Sequence, residues 1–102
     1  MVKFAPSLAC VDFLHIGDVI RDFEKNNIDY VHFDISDTSF TNCIMLPQGL
    51  VGQLKKFTKM PLDIHIMVDP AQDMIDKIIA PLDKNDIISV QVEATTKLSD
   101  CL

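Results

Sequence analysis

The chain is short of glycine, cysteine and positive charge. Its 102 residues contain three glycines, Gly17, Gly49 and Gly52, too scattered to form the glycine-rich loop with which many open α/β sheets cradle phosphate. Cys10, Cys43 and Cys101 are odd in number, far apart and include no Cys-x-x-Cys pair. A disulfide framework, a zinc knuckle and a dithiol redox motif are therefore excluded, and free thiols are expected. Nine basic residues face fifteen acidic ones, for a formal net charge of −6. That balance argues against nucleic acid or an anionic membrane as partner. A phosphate-bearing small molecule stays open, because backbone amides and helix N-termini bind phosphate without help from basic side chains. No apolar run approaches the roughly 18 residues a membrane span needs, and Met1-Val2-Lys3-Phe4 opens no signal-peptide pattern. The expectation is a cytoplasmic protein with no membrane partner.

What is present is ample core material, 48% hydrophobic residues, arranged in alternating periods. Residues 1–102 read as a single domain or part of one. Residues 3–9 read as a strand, with Pro6 tolerable near a strand end. From Asp12 the period becomes helical, with Phe13, Ile16, Val19, Ile20 and Phe23 on one face and Asn26-Asn27 as the stop. Residues 29–36 form a second strand. A polar loop, 37–43, leads to a helix carrying Leu50, Val51, Leu54 and Phe57, closed by lysines and Pro61. Residues 62–68 form a third strand. Asp69-Pro70 is expected to cap a third helix with proline in its first turn, striped by Met74, Ile75, Ile78 and Ile79 and closed by Pro81. A fourth strand is expected over 87–93 and the start of a fourth helix over 97–102.

Four strand–helix units imply a parallel α/β sheet. The faces of the strands decide its kind. Side chains alternate along a strand, so Val31, Phe33 and Ile35 oppose His32, Asp34 and Ser36, and Leu62, Ile64, Ile66 and Val68 oppose Asp63, His65 and Met67. An open sheet covered by helices on both sides would be apolar on both faces. One apolar face and one small or polar face fit half of a (β/α)8 TIM barrel, with helices outside and a functional lumen inside. The two imidazoles and a carboxylate on adjacent strands are donors that a divalent metal takes, or the parts of an acid–base site.

The motifs Ala5-Pro6-Ser7-Leu8, Val31-His32-Phe33-Asp34-Ile35-Ser36-Asp37, Pro61-Leu62-Asp63-Ile64-His65-Ile66-Met67-Val68 and Val92-Glu93-Ala94 occur in the order and spacing of one family. The chain resembles the N-terminal half of the ribulose-phosphate 3-epimerases, and Pro6-Ser7-Leu8-Ala9-Cys10-Val11-Asp12 with Lys59-Met60-Pro61-Leu62-Asp63 is somewhat closer to the allulose-6-phosphate 3-epimerase branch. The resemblance implies an isomerase that inverts the carbon beside a ketose-phosphate carbonyl, using a divalent metal (Zn, Fe, Mn or Co). It implies His32, Asp34 and His65 as metal ligands and Asp34 as one of two catalytic carboxylates. Ser7, His65 and Met67 would contact substrate. The second carboxylate and a fourth ligand belong to the family's other half, so activity is expected to require that half or self-assembly into a homo-oligomer. Unpaired sheet edges point the same way.

The chain departs from the pattern where the family reads Met-Asp-Gly-His-Phe-Val-Pro-Asn. Here Ser36-Asp37-Thr38-Ser39-Phe40-Thr41-Asn42-Cys43 stands instead, with threonine at the glycine position, and Gln91 stands where relatives often carry histidine. The competing reading is a non-catalytic half-barrel that dimerises or binds a partner. Decarboxylases and hexulose-phosphate synthases of the wider group resemble an Asp-x-Lys-x-x-Asp pattern, and no lysine lies between Asp34 and Asp37.

Overall fold

The computed structural model describes residues 1–94. Its elements run α1 (Ile16–Lys25), β1 (Val31–Ser36), α2 (Gly49–Phe57), β2 (Leu62–Met67), α3 (Ala71–Ile78) and β3 (Ile87–Val90), with short 3-10 turns at Leu8–Cys10, Phe13–His15 and Val92–Ala94. The helix expected over 97–102 lies outside the described residues.

The three strands form one parallel sheet in the order β1-β2-β3. Each parallel step goes to the next neighbour, and right-handed crossovers then put every connecting helix on the same face. That is the winding of a barrel wall; a doubly wound sheet reverses its strand order. The helix-covered face is the core, where Val31, Phe33, Leu62, Ile64 and Ile66 are fully enclosed against Leu8, Ile20, Val51, Leu54, Ile75 and Ile78. Truncating a buried aromatic such as Phe33 costs about 3–5 kcal/mol, enough to dominate a fold whose total stability is about 5–15 kcal/mol. The opposite face carries His32, Asp34, Asp63 and His65, all partly exposed.

Three sequence expectations are corrected here. Residues 3–9 do not form a regular strand. The segment lies along the free edge of β1 and accepts bonds at Phe4 O from Tyr30 N (3.1 Å) and at Pro6 O from His32 N (3.0 Å), with a single parallel bridge between Ser7 and His32. Pro6 has no N–H to contribute to a ladder, and the Ser7 hydroxyl accepts from Ala9 N and turns the chain into a 3-10 turn. Second, β3 ends at Val90, short of residue 93, and Glu93 lies in the 3-10 turn after it. Third, Pro70 itself occupies the N-cap of α3, in extended backbone after a cis Asp69-Pro70 peptide, and no side chain caps that helix.

The stop of α1 is as expected: Asn27 takes a left-handed φ of 56°, Ile28 N bonds Phe23 O and Asn27 N bonds Glu24 O. Those two bonds satisfy the helix's last carbonyls, and asparagine tolerates the left-handed conformation.

At the N-terminal end of β2, Asp86 is 1% exposed and gathers three donors: Leu62 N at 2.8 Å, Asp83 N at 2.9 Å and Lys55 Nζ at 2.9 Å. It ties the start of β2 to the C-terminal turn of α2 and to the approach to β3. Burial works to lower the Lys55 pKa, but hydrogen bonding and charge from Asp86 and Asp83 outweigh it and leave the value raised. A raised lysine contributes stability in full below its unfolded value near 10.5 and loses it as pH climbs through the higher folded value. Replacing Asp86 by alanine strands a nearly buried ammonium and a strand-initiating N–H. A loss of about 3 kcal/mol is expected in urea unfolding near neutral pH, and the wild-type excess over this variant should shrink above about pH 10.5.

Candidate functional site

The geometry of the polar face follows from the parallel register. Val31 pairs with Leu62, which puts His32 beside Asp63 and Asp34 beside His65. A His-x-Asp strand thus lies in step with an Asp-x-His strand, and every imidazole has a carboxylate on the neighbouring strand as well as one two residues away on its own. His32 Nε2 lies 3.1 Å from Asp34 Oδ1, and His32 Nδ1 lies 3.0 Å from Asp63 Oδ2. His65 Nδ1 lies 3.3 Å from the same Asp34 Oδ1, and His65 Nε2 lies 2.6 Å from Gln91 Oε1. The Ser7 hydroxyl donates to Asp34 Oδ2 at 3.3 Å.

Asp34 is the centre of this arrangement. One carboxylate oxygen faces both imidazoles and the other is held by Ser7. One atom each from His32, Asp34 and His65 lie within 4.8 Å of one another, a group that could hold a metal ion. The donor set suits such an ion: imidazole nitrogen and carboxylate oxygen bind zinc at about 2.0–2.2 Å, which separates neighbouring ligands of a tetrahedral site by about 3.3 Å. The separations of 3.1 and 3.3 Å from Asp34 Oδ1 to the two imidazoles match that edge.

For the His32 ring, burial lowers the pKa, but the hydrogen bond it donates to Asp63, the charges of Asp34 and Asp63 and the bond to Asp34 together outweigh burial and leave it raised. The surrounding carboxylates therefore favour the protonated ring.

The structure brings together Ser7, His32, Asp34 and His65 from the sequence-derived set. Met67 is 8% exposed at the end of β2, on the strand face of Asp63 and His65, and has no polar contact to report. Asp63 and Gln91 were not expected as partners of the imidazoles. The signal for Asp63 lay in the Asp-x-His spacing of β2, which becomes informative only once the register against β1 is known. Gln91 follows β3, and no strand spacing anticipates its approach to His65.

A model of the ribulose-phosphate 3 epimerase family matches residues 3–102. The chain belongs to that family. It is 35% identical over 100 residues to a Bacillus subtilis ribulose-phosphate 3-epimerase, covering 96% of this chain and 44% of the relative. Identity to a Methanocaldococcus jannaschii protein of that name is 29% over 94 residues, covering 92% and 38%, and to one from Synechocystis 34% over 93 residues, covering 90% and 39%. The chain thus spans less than half the length of these relatives.

The loop after β1, where the chain departs from the family pattern, is held by its own side-chain hydrogen bonds. Buried Ser36 donates to Cys43 O at 2.9 Å and meets Thr41 Oγ1 at 3.1 Å, while Asp37 Oδ1 accepts from Ser39 N at 3.0 Å. Between them Thr38 sits at φ 79°. A β-branched side chain in that region costs about 1–2 kcal/mol. Thr38→Gly is therefore expected to stabilise the chain by about 1 kcal/mol in thermal or urea unfolding, after the larger entropy that glycine loses on folding is subtracted.

Proposed function

We propose that this chain is the N-terminal portion of a (β/α)8 barrel that epimerises ketose phosphates, of the ribulose-5-phosphate/xylulose-5-phosphate or the allulose-6-phosphate type, with a divalent metal. The observation that carries the reading is the convergence of His32 Nε2, Asp34 Oδ1 and His65 Nδ1, in a chain of this family. The fold supports it: the donors project from the strand face that helices leave open, Asp34 and His65 from the middle of β1 and β2 and His32 from the start of β1, toward what is the lumen of a barrel.

In this reading His32, Asp34 and His65 hold the ion, which can be Zn, Fe, Mn or Co. When bound, the cation supplies the positive charge that offsets negative charge developing on the substrate's carbonyl oxygen. Asp34 takes the proton from the carbon beside the carbonyl. Its Oδ2, which Ser7 steadies, is the oxygen turned away from the imidazoles and available for that transfer. Met67 supplies an apolar wall beside the reacting carbons. Inversion requires a second acid on the opposite face of the substrate, so the complete site draws that group from a continuing chain or from a second copy. A homo-oligomer would also cover the outer edge of β3, which has no strand partner among the described residues. The acidic balance and the lack of a long apolar helix among the described residues support a cytoplasmic enzyme acting on a small molecule.

Calorimetric titration with Zn, Mn, Fe and Co salts is expected to give one ion per chain. Asp34→Ala should weaken binding at least tenfold while leaving the unfolding midpoint nearly unchanged. In the assembled enzyme, Asp34→Asn should abolish epimerisation of both pentulose and hexulose phosphates and the exchange of the substrate's carbon-bound proton with solvent. Proton exchange that persists without metal contradicts the mechanism. A stable monomer that binds neither ion nor sugar phosphate would make the chain a non-catalytic half-barrel.

A further inference from the structure

The two imidazoles pose a problem of proton bookkeeping. Each of their four nitrogens faces an acceptor oxygen: His32 Nδ1 faces Asp63 Oδ2, His65 Nε2 faces Gln91 Oε1, and His32 Nε2 and His65 Nδ1 both face Asp34 Oδ1. A neutral imidazole carries one N–H and one lone pair. Two neutral rings therefore supply two hydrogens for four nitrogen–oxygen contacts on three acceptor oxygens, and two lone pairs must be left facing an oxygen. Two extra protons or one divalent cation resolve the deficit, and the cation does so only if the lone pairs lie on the Asp34 side.

Gln91 settles the choice at His65. Its Nε2 donates to Glu93 Oε2 at 3.4 Å, so its Oε1 is the atom turned to the ring, and an amide oxygen can only accept. The reverse orientation would set the amide oxygen against the Glu93 carboxylate. His65 Nε2 therefore carries the hydrogen and Nδ1 carries the lone pair. Asp63 does the same at His32 from the other end of the ring. Both nitrogens of His32 face a carboxylate, but Asp34 Oδ1 is shared with His65, whereas Asp63 makes its single side-chain hydrogen bond among the described residues to Nδ1. The undivided acceptor takes the hydrogen and leaves the lone pair on Nε2. The carboxylate–imidazole–metal arrangement is a general device for fixing the ring that binds an ion.

We infer that Asp63 and Gln91 are positioning residues that hold the two histidines in opposite tautomers, Nδ1–H at His32 and Nε2–H at His65, so that both lone pairs converge beside Asp34 Oδ1. The two partners differ in kind. Asp63 adds a negative charge behind its ligand and raises the ring's basicity, whereas Gln91 is neutral and orients its ring without adding charge. The site thus has one strongly and one weakly donating imidazole, and substituting Gln91 by an acidic residue would remove that asymmetry.

The inference rests on the metal reading above, and its test is independent of activity. Long-range 1H–15N correlation spectra of the 15N-labelled full chain, metal-free at alkaline pH and again with Zn2+ added, report which nitrogen of each ring carries hydrogen. The expected result is Nδ1–H for His32 and Nε2–H for His65 in both states. Asp63→Ala and Gln91→Met are expected to scramble the tautomer of their own ring alone and to weaken Zn2+ binding by about 10- to 100-fold, with the unfolding midpoint little changed. Asp63→Asn, whose amide oxygen still accepts from Nδ1–H, should restore the His32 tautomer but not the full affinity. Nε2–H on His32 or Nδ1–H on His65 in the wild-type chain would overturn the inference. Unchanged tautomers and affinity in both Asp63→Ala and Gln91→Met would do so equally. If the wild-type tautomers are as stated and Zn2+ nonetheless fails to bind, the metal reading fails and the positioning roles stand.

Discussion

The parallel register between β1 and β2 is the constraint on which the rest of this structure depends. Because side chains alternate with a period of two, a slip of one residue would carry the donors of one strand to the helix-covered side and bury charge in the core. As it stands, Val31 against Leu62 sets His32 against Asp63 and Asp34 against His65, and Val31, Phe33, Leu62, Ile64 and Ile66 pack into the core on the other face. Core and site are two consequences of one alignment. Hydrophobic burial of Val31, Phe33, Leu62, Ile64 and Ile66 enforces the register, and the register assembles the polar group on the other face at no separate cost in folding specificity.

The ends of the sheet divide their work. At the N-terminal end of β2 the nearly buried Asp86 closes a knot of backbone and lysine donors, an electrostatic pin whose groups satisfy each other. Along the face that helices leave open lies a cluster that does not satisfy itself. Asp34 Oδ1 is approached by two imidazole nitrogens, and the three acceptor oxygens around the rings outnumber the two hydrogens that neutral rings provide. A balanced charge cluster far from solvent stabilises; an unbalanced one that stays partly open to solvent is suited to receive a cation. That contrast separates Asp86, which is saturated with donors from the backbone and Lys55, from Asp34, which is shared between two imidazoles.

Much of this was legible from residues alone. Alternation in 31–36 and 62–67 placed the strands and their polar faces, and helical spacing with Asn26-Asn27 placed α1 and its end. The donors His32, Asp34 and His65 followed from which face each occupies, whereas Ser7 was expected only as a substrate contact by family resemblance, and its bond to Asp34 is a finding of the structure. The failures have local physical causes. Pro6 and the Ser7 cap break what alternation reads as a first strand, and Pro70 takes the cap position itself, while β3 stops three residues early because Val92 and Glu93 turn away from the ladder. Partners across strands were the least legible feature, since Asp63 and Gln91 acquire meaning only through register and turn geometry, neither of which a one-dimensional pattern contains. Thr38 was marked by its departure from the family's glycine, and its positive φ shows that the backbone still demands the conformation that glycine adopts most easily.

The central claim is that two imidazoles and one carboxylate of this chain converge on a single ion. X-ray absorption at the zinc edge of the loaded chain tests it most directly. The account predicts a first shell of nitrogen and oxygen donors at about 2.0–2.2 Å, with outer-shell scattering from two imidazole rings. A shell without imidazole scattering, or one containing sulfur, would place the ion elsewhere and contradict the account.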